Sequence, residues 1–173
     1  MSSFKDRLIR AAKLDATLFE EVEADTGALP QAMATVILSS AAAGIGTFQV
    51  GGFGGLVMGT IGALIGWFIW AYMTFLIGTK LLPEPQTSAT LGELLRTIGF
   101  SSSPGIMRVF GIIPGLSGLV MFGASVWMLV AMVIAVRQAL DYKSTFRALG
   151  VCVIGWLFQI AVITVVFVLL RKF

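Results

Sequence analysis

The sequence contains no histidine, a single cysteine and few charged residues. Without histidine it lacks imidazole metal ligands and Ser-His-Asp catalytic arrangements. Cys152 cannot form an internal disulfide, and its place in an apolar run is typical of a small buried hydrophobic residue. No phosphate-binding GxxxxGK[ST] loop is present. These absences predict a protein that is not an enzyme and has neither a metal site nor a cofactor.

Acidic residues become scarce after residue 25. Six of the nine lie before residue 26, and Glu84, Glu93 and Asp141 all fall outside the apolar runs. Because proton-coupled transporters and pumps usually place carboxylates at membrane depth, this distribution argues against such a mechanism. The twelve Lys and Arg residues are spread along the chain without a basic block. That pattern favours contact with membrane lipids and gives no indication of nucleic acid binding.

The hydrophobic content indicates that lipid is the solvent for much of the chain. Hydrophobic residues make up 57% of the sequence and charged residues 12%, against about 45–50% and about 25% in an average soluble domain. A chain of 173 residues cannot bury that much apolar surface in one core. We therefore predict an all-α integral membrane protein of the cell (plasma or inner) membrane: a bundle of five transmembrane helices with an N-terminal amphipathic helical segment.

Residues 1–29 form the only segment with a soluble-like composition, and we predict a cytoplasmic amphipathic helical segment there. They carry no signal-peptide pattern, and their apolar residues recur at helical spacing. Bases precede acids, so one continuous helix would oppose its own macrodipole. The pattern instead predicts a helix at 3–14, a bend near Asp15 and a helix at 16–25. Asp15 is one candidate N-cap for the second helix, and a capping box opening at Thr17 is another.

The apolar runs in residues 30–173 predict a membrane domain of five spans, since about 20 apolar residues suffice to cross about 30 Å of hydrocarbon. The spans are predicted at residues 30–48, 54–79, 104–116, 117–136 and 149–170.

The distribution of basic residues in the loops sets the number and direction of these spans. The connectors 80–103 and 137–147 carry Lys and Arg, whereas 49–55 and 114–118 carry none. Loops with and without basic residues alternate only if residues 104–116 cross the membrane, with the N-terminus cytoplasmic. Arg171 and Lys172, on the outer side, are the exception.

The third span is short and flanked by proline. A capping box, Thr90–Glu93, opens a predicted helix at 90–100 that approaches along the membrane surface before the chain bends. Pro104 is predicted to start the span and Pro114 to end or kink it. Arg108 is then one turn inside the third span, near the cytoplasmic side, where it can reach headgroups. Insertion of its charge at the bilayer centre would cost about 2.5–3.5 kcal/mol.

Two sets of residues are candidates for intermolecular contact. Small residues four apart let a second helix backbone approach closely. The corresponding glycines indicate either a self-association seam or packing within the same monomer: Gly51, Gly55, Gly59, Gly62 and Gly66. The basic residues predicted to contact headgroups or a partner protein are Arg96, Arg108, Arg137, Lys143 and Arg147.

The order of these elements resembles the Yip1 domain family. The similarity is carried by LLRTIGFSSSPGIMRVFGIIPG, which contains a Gly-[Phe/Tyr]-x-x-x-Pro element, by VWMLVAMVIAVRQALDYKSTFRALGVCVIGW and by AAKLDATLFEEVEAD. The resemblance implies a five-helix membrane protein without established enzymatic chemistry and with a short N-terminal region of the bacterial type. The link of eukaryotic relatives to Rab-type GTPases is not carried over, because the N-terminal region here is short.

Three functions remain open from the sequence. The first is a scaffold, organiser or complex subunit that acts through helix packing, with membrane lipids and a homo-oligomer or larger membrane complex as partners. The second is a channel or transporter for a small solute, suggested by the glycines, the Pro-broken third span and Arg108. The third is an accessory subunit of an energy-converting or pigment-binding membrane complex.

Overall fold

The computed structural model describes the backbone of residues 2–170 and the side chains of residues 2–161. The chain is all-helical, with 84% helix and no strand in the described residues. The seven α-helices are α1 Phe4–Ala12, α2 Ala16–Ala24, α3 Leu29–Gly46, α4 Phe48–Leu76, α5 Leu91–Ser101, α6 Ser117–Ala139 and α7 Thr145–Leu170. A 3₁₀ turn at Thr26–Ala28 precedes α3, a π-helical turn at Ile77–Leu81 ends α4, and a 3₁₀ helix occupies Ser103–Ile112.

Three of the described helices are long and apolar enough to cross a membrane: Thr26–Gly46, Phe48–Leu81 and Ser117–Ala139. They match the first, second and fourth predicted spans. The last predicted span, 149–170, lies in α7, of which Thr145–Ala161 is described with its side chains as a shorter apolar helix. Arg171 and Lys172 lie outside the described residues. The third predicted span is not an α-helix, so the count of five stays a prediction.

The N-terminal segment forms two helices with a break at the predicted position. Asp15 is the N-cap of α2, since its carboxylate accepts from the Thr17 backbone N–H at 3.0 Å. The alternative cap at Thr17 is wrong, because Thr17 lies in the first turn and its hydroxyl donates to the Asp15 carboxylate. Leu14 has φ 63°, which turns the chain between the two helices.

These two helices pack into the bundle. Leu18, Phe19 and Val22 are fully buried, in one cluster with Phe100 of α5 and Ala135 of α6. Ser103 also donates to the Leu8 carbonyl at 2.7 Å. The N-terminal helices therefore share a core with α5 and α6, which is closer contact than a separate surface segment would make.

Helix α5 begins as predicted and then departs from the prediction. The capping box is confirmed: the Glu93 N–H donates to Thr90 Oγ1 at 3.3 Å, and the Thr90 N–H donates to the Glu93 carboxylate at 2.7 Å. All residues from Leu94 to Ser101 are buried against the rest of the chain, however, so α5 is not exposed on one side, and its predicted position along the membrane surface stays a prediction. After Ser102 the chain winds directly into the 3₁₀ helix with Pro104 in its first turn, and Pro114 follows its end.

Three glycines hold α5 and the 3₁₀ helix against α3. A methyl group at Gly99 would lie 2.7 Å from Ala32 Cβ, and one at Gly111 would lie 3.2 Å from the Gly46 carbonyl. Between them, a methyl at Gly105 would overlap the Ser39 hydroxyl. The three glycines are spaced six residues apart. Gly105 and Gly111, both in the 3₁₀ helix, lie on one face because six residues make two turns at 3.0 residues per turn. Their partners on α3 repeat every seven, close to two α-helical turns.

The predicted glycine turn between the first two spans is mostly helical. Helix α4 begins at Phe48, directly after α3, and is interrupted at Gly52, whose φ of 56° lies in the left-handed region. Glycine reaches that region without a Cβ penalty, which explains the residue type at the kink.

Candidate functional site

A polar cavity surrounds Arg108 in the interior of the bundle. It has a volume of about 310 Å³ and is bordered by α3, α4, α5, α6, α7 and the 3₁₀ helix. Its polar walls are Ser39, Ser40, Ser101, Ser102, Arg108 and Gln159, and its aromatic walls are Trp67, Trp70 and Trp156. No sequence pattern indicated this cavity, because its lining comes from elements far apart in the chain.

Arg108 lies well inside the helices. Its guanidinium donates to Ser125 Oγ at 3.0 Å. Ser125 is about 12 Å along α6 from Ser117 and about 21 Å from Ala139 at the α-helical rise per residue. The Ala139 end is the one near the N-terminal segment, since Gln138 donates to Glu20 at 2.6 Å. Arg108 therefore lies away from the end of the bundle that contacts the N-terminal segment, and its predicted contact with headgroups stays a prediction.

Two hydrogen-bond donors at this cavity have no partner. Arg108 Nε and Trp70 Nε1 are buried and bond to no atom of the described residues. Trp67, in contrast, donates to the Leu95 carbonyl at 3.0 Å. No carboxylate of the described part of the chain lies within ion-pair distance of Arg108. The cavity is therefore lined by the positive charge of Arg108, and its wall contains two donors without acceptors among the described residues.

An apolar cavity adjoins the polar one. It has a volume of about 270 Å³ and shares Gly66, Trp70 and Gln159 with it. Its other walls are Ile69, Met73, Gly155 and Phe158. A third cavity, of about 280 Å³, reaches Arg108 from between α3 and α4, past Gly55 and Gly59.

The predicted contact glycines of α4 are open. A methyl group added at Gly51, Gly55, Gly59, Gly62 or Gly66 would meet nothing within 4 Å among the described residues. Glycines that do pack closely within the monomer include Gly99, Gly105, Gly111, Gly46, Gly78, Gly44 and Gly155. These α4 glycines have no close packing partner among the described residues, although Gly55, Gly59 and Gly66 line cavities, so both interpretations stay predictions.

Of the predicted contact residues, Arg96 is buried. It is 6% exposed and its Nε donates to the Val22 carbonyl at 2.8 Å, with a second bond to the Glu23 carbonyl. This position is incompatible with the predicted headgroup contact. Arg96 instead holds the end of α2 against α5.

The other basic residues lie where two connectors meet. Arg147 pairs with Glu84 at 3.5 Å and donates to the Pro83 carbonyl at 3.1 Å. Arg137 donates to the Tyr142 carbonyl, and the Lys143 backbone N–H donates to Glu84 at 3.1 Å. The connector after α4 and the connector after α6 therefore touch.

An acidic cavity of about 510 Å³ opens beside this junction. It is lined by Glu20 and Glu23 of α2, Glu93 of α5 and Asp141 after α6, with Arg137 and Lys143 opposite. Burial, followed by repulsion from Asp141, Glu93 and Glu20, raises the pKa of Glu23 to about 7. No group of residues able to hold a metal ion was found in the described part of the chain.

On the other side of α2, Arg7 pairs with Glu21 at 3.0 Å and with Asp25 at 2.7 Å. The pKa of Glu21 is lowered to about 2 by hydrogen bonds from Ser2 first, then from Arg10 and Arg7, against the opposing effect of burial.

Comparison with known proteins gave no match: no family model, no curated protein and no solved structure matches the chain. The resemblance to the Yip1 domain family thus stays a prediction.

Proposed function

We propose that this chain is a non-enzymatic, Yip1-like multispanning protein of the cell membrane that acts as a scaffold or complex subunit through helix packing. The observation that carries the proposal is the open glycine face of α4, where methyl groups at Gly51, Gly55, Gly59, Gly62 and Gly66 would meet nothing. In lipid, small residues at this spacing favour close approach of a second helix backbone. We propose that a second copy of this chain occupies the face.

A five-crossing topology belongs to this proposal. The connectors after α4 and α6 touch, since Gln86 donates to the Asp141 carbonyl at 3.0 Å, so they share one side of the membrane. Helix α6 crosses once between them, which requires a second crossing by residues 91–116. The α5 and 3₁₀ pair supports this, because it follows α3 from Ala32 to Gly46, about 21 Å at the α-helical rise.

Self-association in liposomes tests the glycine face. Gly62→Leu places a bulky side chain on the face without touching the rest of the monomer or the Arg108 cavities. Energy transfer between labelled copies should report association of the wild type and a loss of about tenfold or more in Gly62→Leu. Gly123→Leu is the matched control, because Gly123 lies on α6 and is equally open. A monomeric wild type, or equal effects of both substitutions, would contradict the proposal.

The second candidate is a channel or transporter for a small anion, and the position of Arg108 inside the bundle favours it. Three cavities meet around this part of the molecule, and two of them touch Arg108. Anion flux into liposomes that Arg108→Gln abolishes and Gly62→Leu preserves would favour transport over the scaffold function.

A further inference from the structure

The charge of Arg108 has no counter-ion within the described residues. The acidic residues beyond residue 25 are Glu84, Glu93 and Asp141, and all three lie at the connector end of the bundle. A guanidinium in a low-dielectric interior needs an anionic partner or good solvation. An anionic partner for Arg108 would therefore have to come from outside the described residues.

The polar cavity is built from groups that suit an anionic oxygen. Arg108 Nε and Trp70 Nε1 can only donate, and both are buried and unpaired among the described residues. Since buried donors in proteins nearly always have acceptors, two unpaired donors at one cavity indicate an acceptor-rich ligand. A phosphate or carboxylate group has this chemistry, and hydrogen bonds between it and a guanidinium are among the strongest in proteins.

The adjoining apolar cavity suits an alkyl chain. It continues from Trp70 past Gly155 to Ile69 and Phe158, and glycine at Gly66 leaves the passage between the two cavities open. A small inorganic ion would fill only the polar end.

We propose that the two cavities bind one anionic amphiphile, with its phosphate or carboxylate head at Arg108 and an alkyl chain between α4 and α7. This site goes beyond the scaffold function, with which it shares Gly66 of the α4 glycine face. Its most abundant occupant is an anionic membrane lipid that enters sideways from the bilayer.

Fluorescence quenching of Trp70 tests the proposal. The full chain carrying Trp67→Phe, Trp127→Phe and Trp156→Phe retains Trp70 as its only tryptophan. In phosphatidylcholine vesicles, brominated phosphatidylglycerol at low mole fraction should quench Trp70 several-fold more than brominated phosphatidylcholine does. A second protein that retains only Trp127, which does not line either cavity, should respond equally to both lipids.

Four variants locate the head and the tail of the ligand. Arg108→Gln should weaken the phosphatidylglycerol effect about tenfold or more, whereas Lys80→Gln removes an exposed cation and should leave it unchanged. Gly66→Leu places a bulky side chain in the lining that the two cavities share and should reduce quenching, whereas Gly62→Leu, which lies on the glycine face and lines neither cavity, should not. This comparison keeps the test valid if Arg108→Gln fails to fold.

Equal quenching of Trp70 by the two brominated lipids would overturn the proposal. Displacement of the lipid effect by inorganic phosphate, with no change in Gly66→Leu, would also overturn it, because the site would then be one for a free anion.

Discussion

Arg7 of α1 and Arg108 of the 3₁₀ helix lie in opposite electrostatic environments. Arg7 is 2% exposed and binds two carboxylates as well as the Gln31 side chain at 3.0 Å. Arg108 has a serine hydroxyl as its hydrogen-bond partner among the described residues. Sequence reasoning could not separate them, because a partner such as Glu21 approaches only when α1 and α2 fold back on each other.

Removing the Arg7 guanidinium should loosen the N-terminal helices. Arg7→Gln leaves Asp25 without its cation and Glu21 with Arg10 alone, and we expect a loss of about 2–3 kcal/mol in the stability of the docked segment. Hydrogen exchange of the α2 amides in detergent measures this loss. Lys13→Gln, at an exposed position on the same segment, should change exchange little. Equal exchange in wild type and Arg7→Gln would show that the pairs contribute nothing.

Docking of α2 should also weaken as pH rises towards neutrality. The pKa of Glu23 is about 7 when docked against an ordinary value of 4.5. The docked state therefore holds an extra proton between these values, and its stability falls as pH rises through this range. Glu21 behaves oppositely, since its pKa of about 2 means that its contribution is lost only as pH falls below 4.5. The charged groups around Glu23 are Glu20, Glu93, Arg96, Arg137, Asp141 and Lys143.

The measurement is protease cleavage after α2 between pH 4.5 and about pH 7, the range between the two pKa values of Glu23. Cleavage should increase with pH in the wild type, after correction for protease activity on an unfolded substrate. Glu23→Gln should give a flat profile. A slope that persists in Glu23→Gln would assign the effect to another group.

Among the elements, α5 and the 3₁₀ helix show which features local sequence patterns can predict and which they cannot. The capping box at Thr90 and the break near Pro104 were predictable, because both depend on local backbone chemistry. The burial of residues 94–101 was not, since their amphipathic pattern is also typical of a surface helix. The six-residue repeat of Gly99, Gly105 and Gly111 could have indicated the packed face. It is recognised only if a helix with three residues per turn is considered.

Alanine substitutions should separate packed glycines from open ones. A methyl at Gly46 would overlap the Arg108 carbonyl, which is backbone and cannot rotate away. We expect Gly46→Ala to destabilise the bundle by about 1–3 kcal/mol. Gly62→Ala should be neutral or stabilising by up to about 1 kcal/mol, because it adds helix propensity in open space. Thermal unfolding in one detergent compares them, and equal midpoints would contradict the α3 contact.

At the scale of the whole molecule, composition predicted the helical class and the positions of three apolar helices. It did not predict that the N-terminal helices share the core, because the contacts of Phe19 with Phe100 and Ala135 join distant parts of the chain. It also could not bring together the connectors that carry Glu84 and Arg147. Long-range polar contacts of this kind leave no periodic trace in a sequence.

Cysteine labelling from one side of a sealed vesicle tests the number of crossings. In a Cys152→Ala background, Ser88→Cys and Lys143→Cys should react from the same side, because their connectors touch. Leu116→Cys, between the 3₁₀ helix and α6, should react from the opposite side. Reaction of Leu116→Cys together with Ser88→Cys would contradict the five-crossing topology.

The 3₁₀ helix constrains the number of residues in the segment Ser103–Ile112 more than it constrains their identity. Inserting or deleting one residue between Ser103 and Gly111 would rotate everything beyond it by about 120°, so that a side chain would replace Gly111 against α3. Exposed positions such as Met107 and Phe110 can change freely without disturbing that contact. Natural variants of this chain are therefore expected to differ in residue type along the outer side of this segment while keeping its number of residues unchanged.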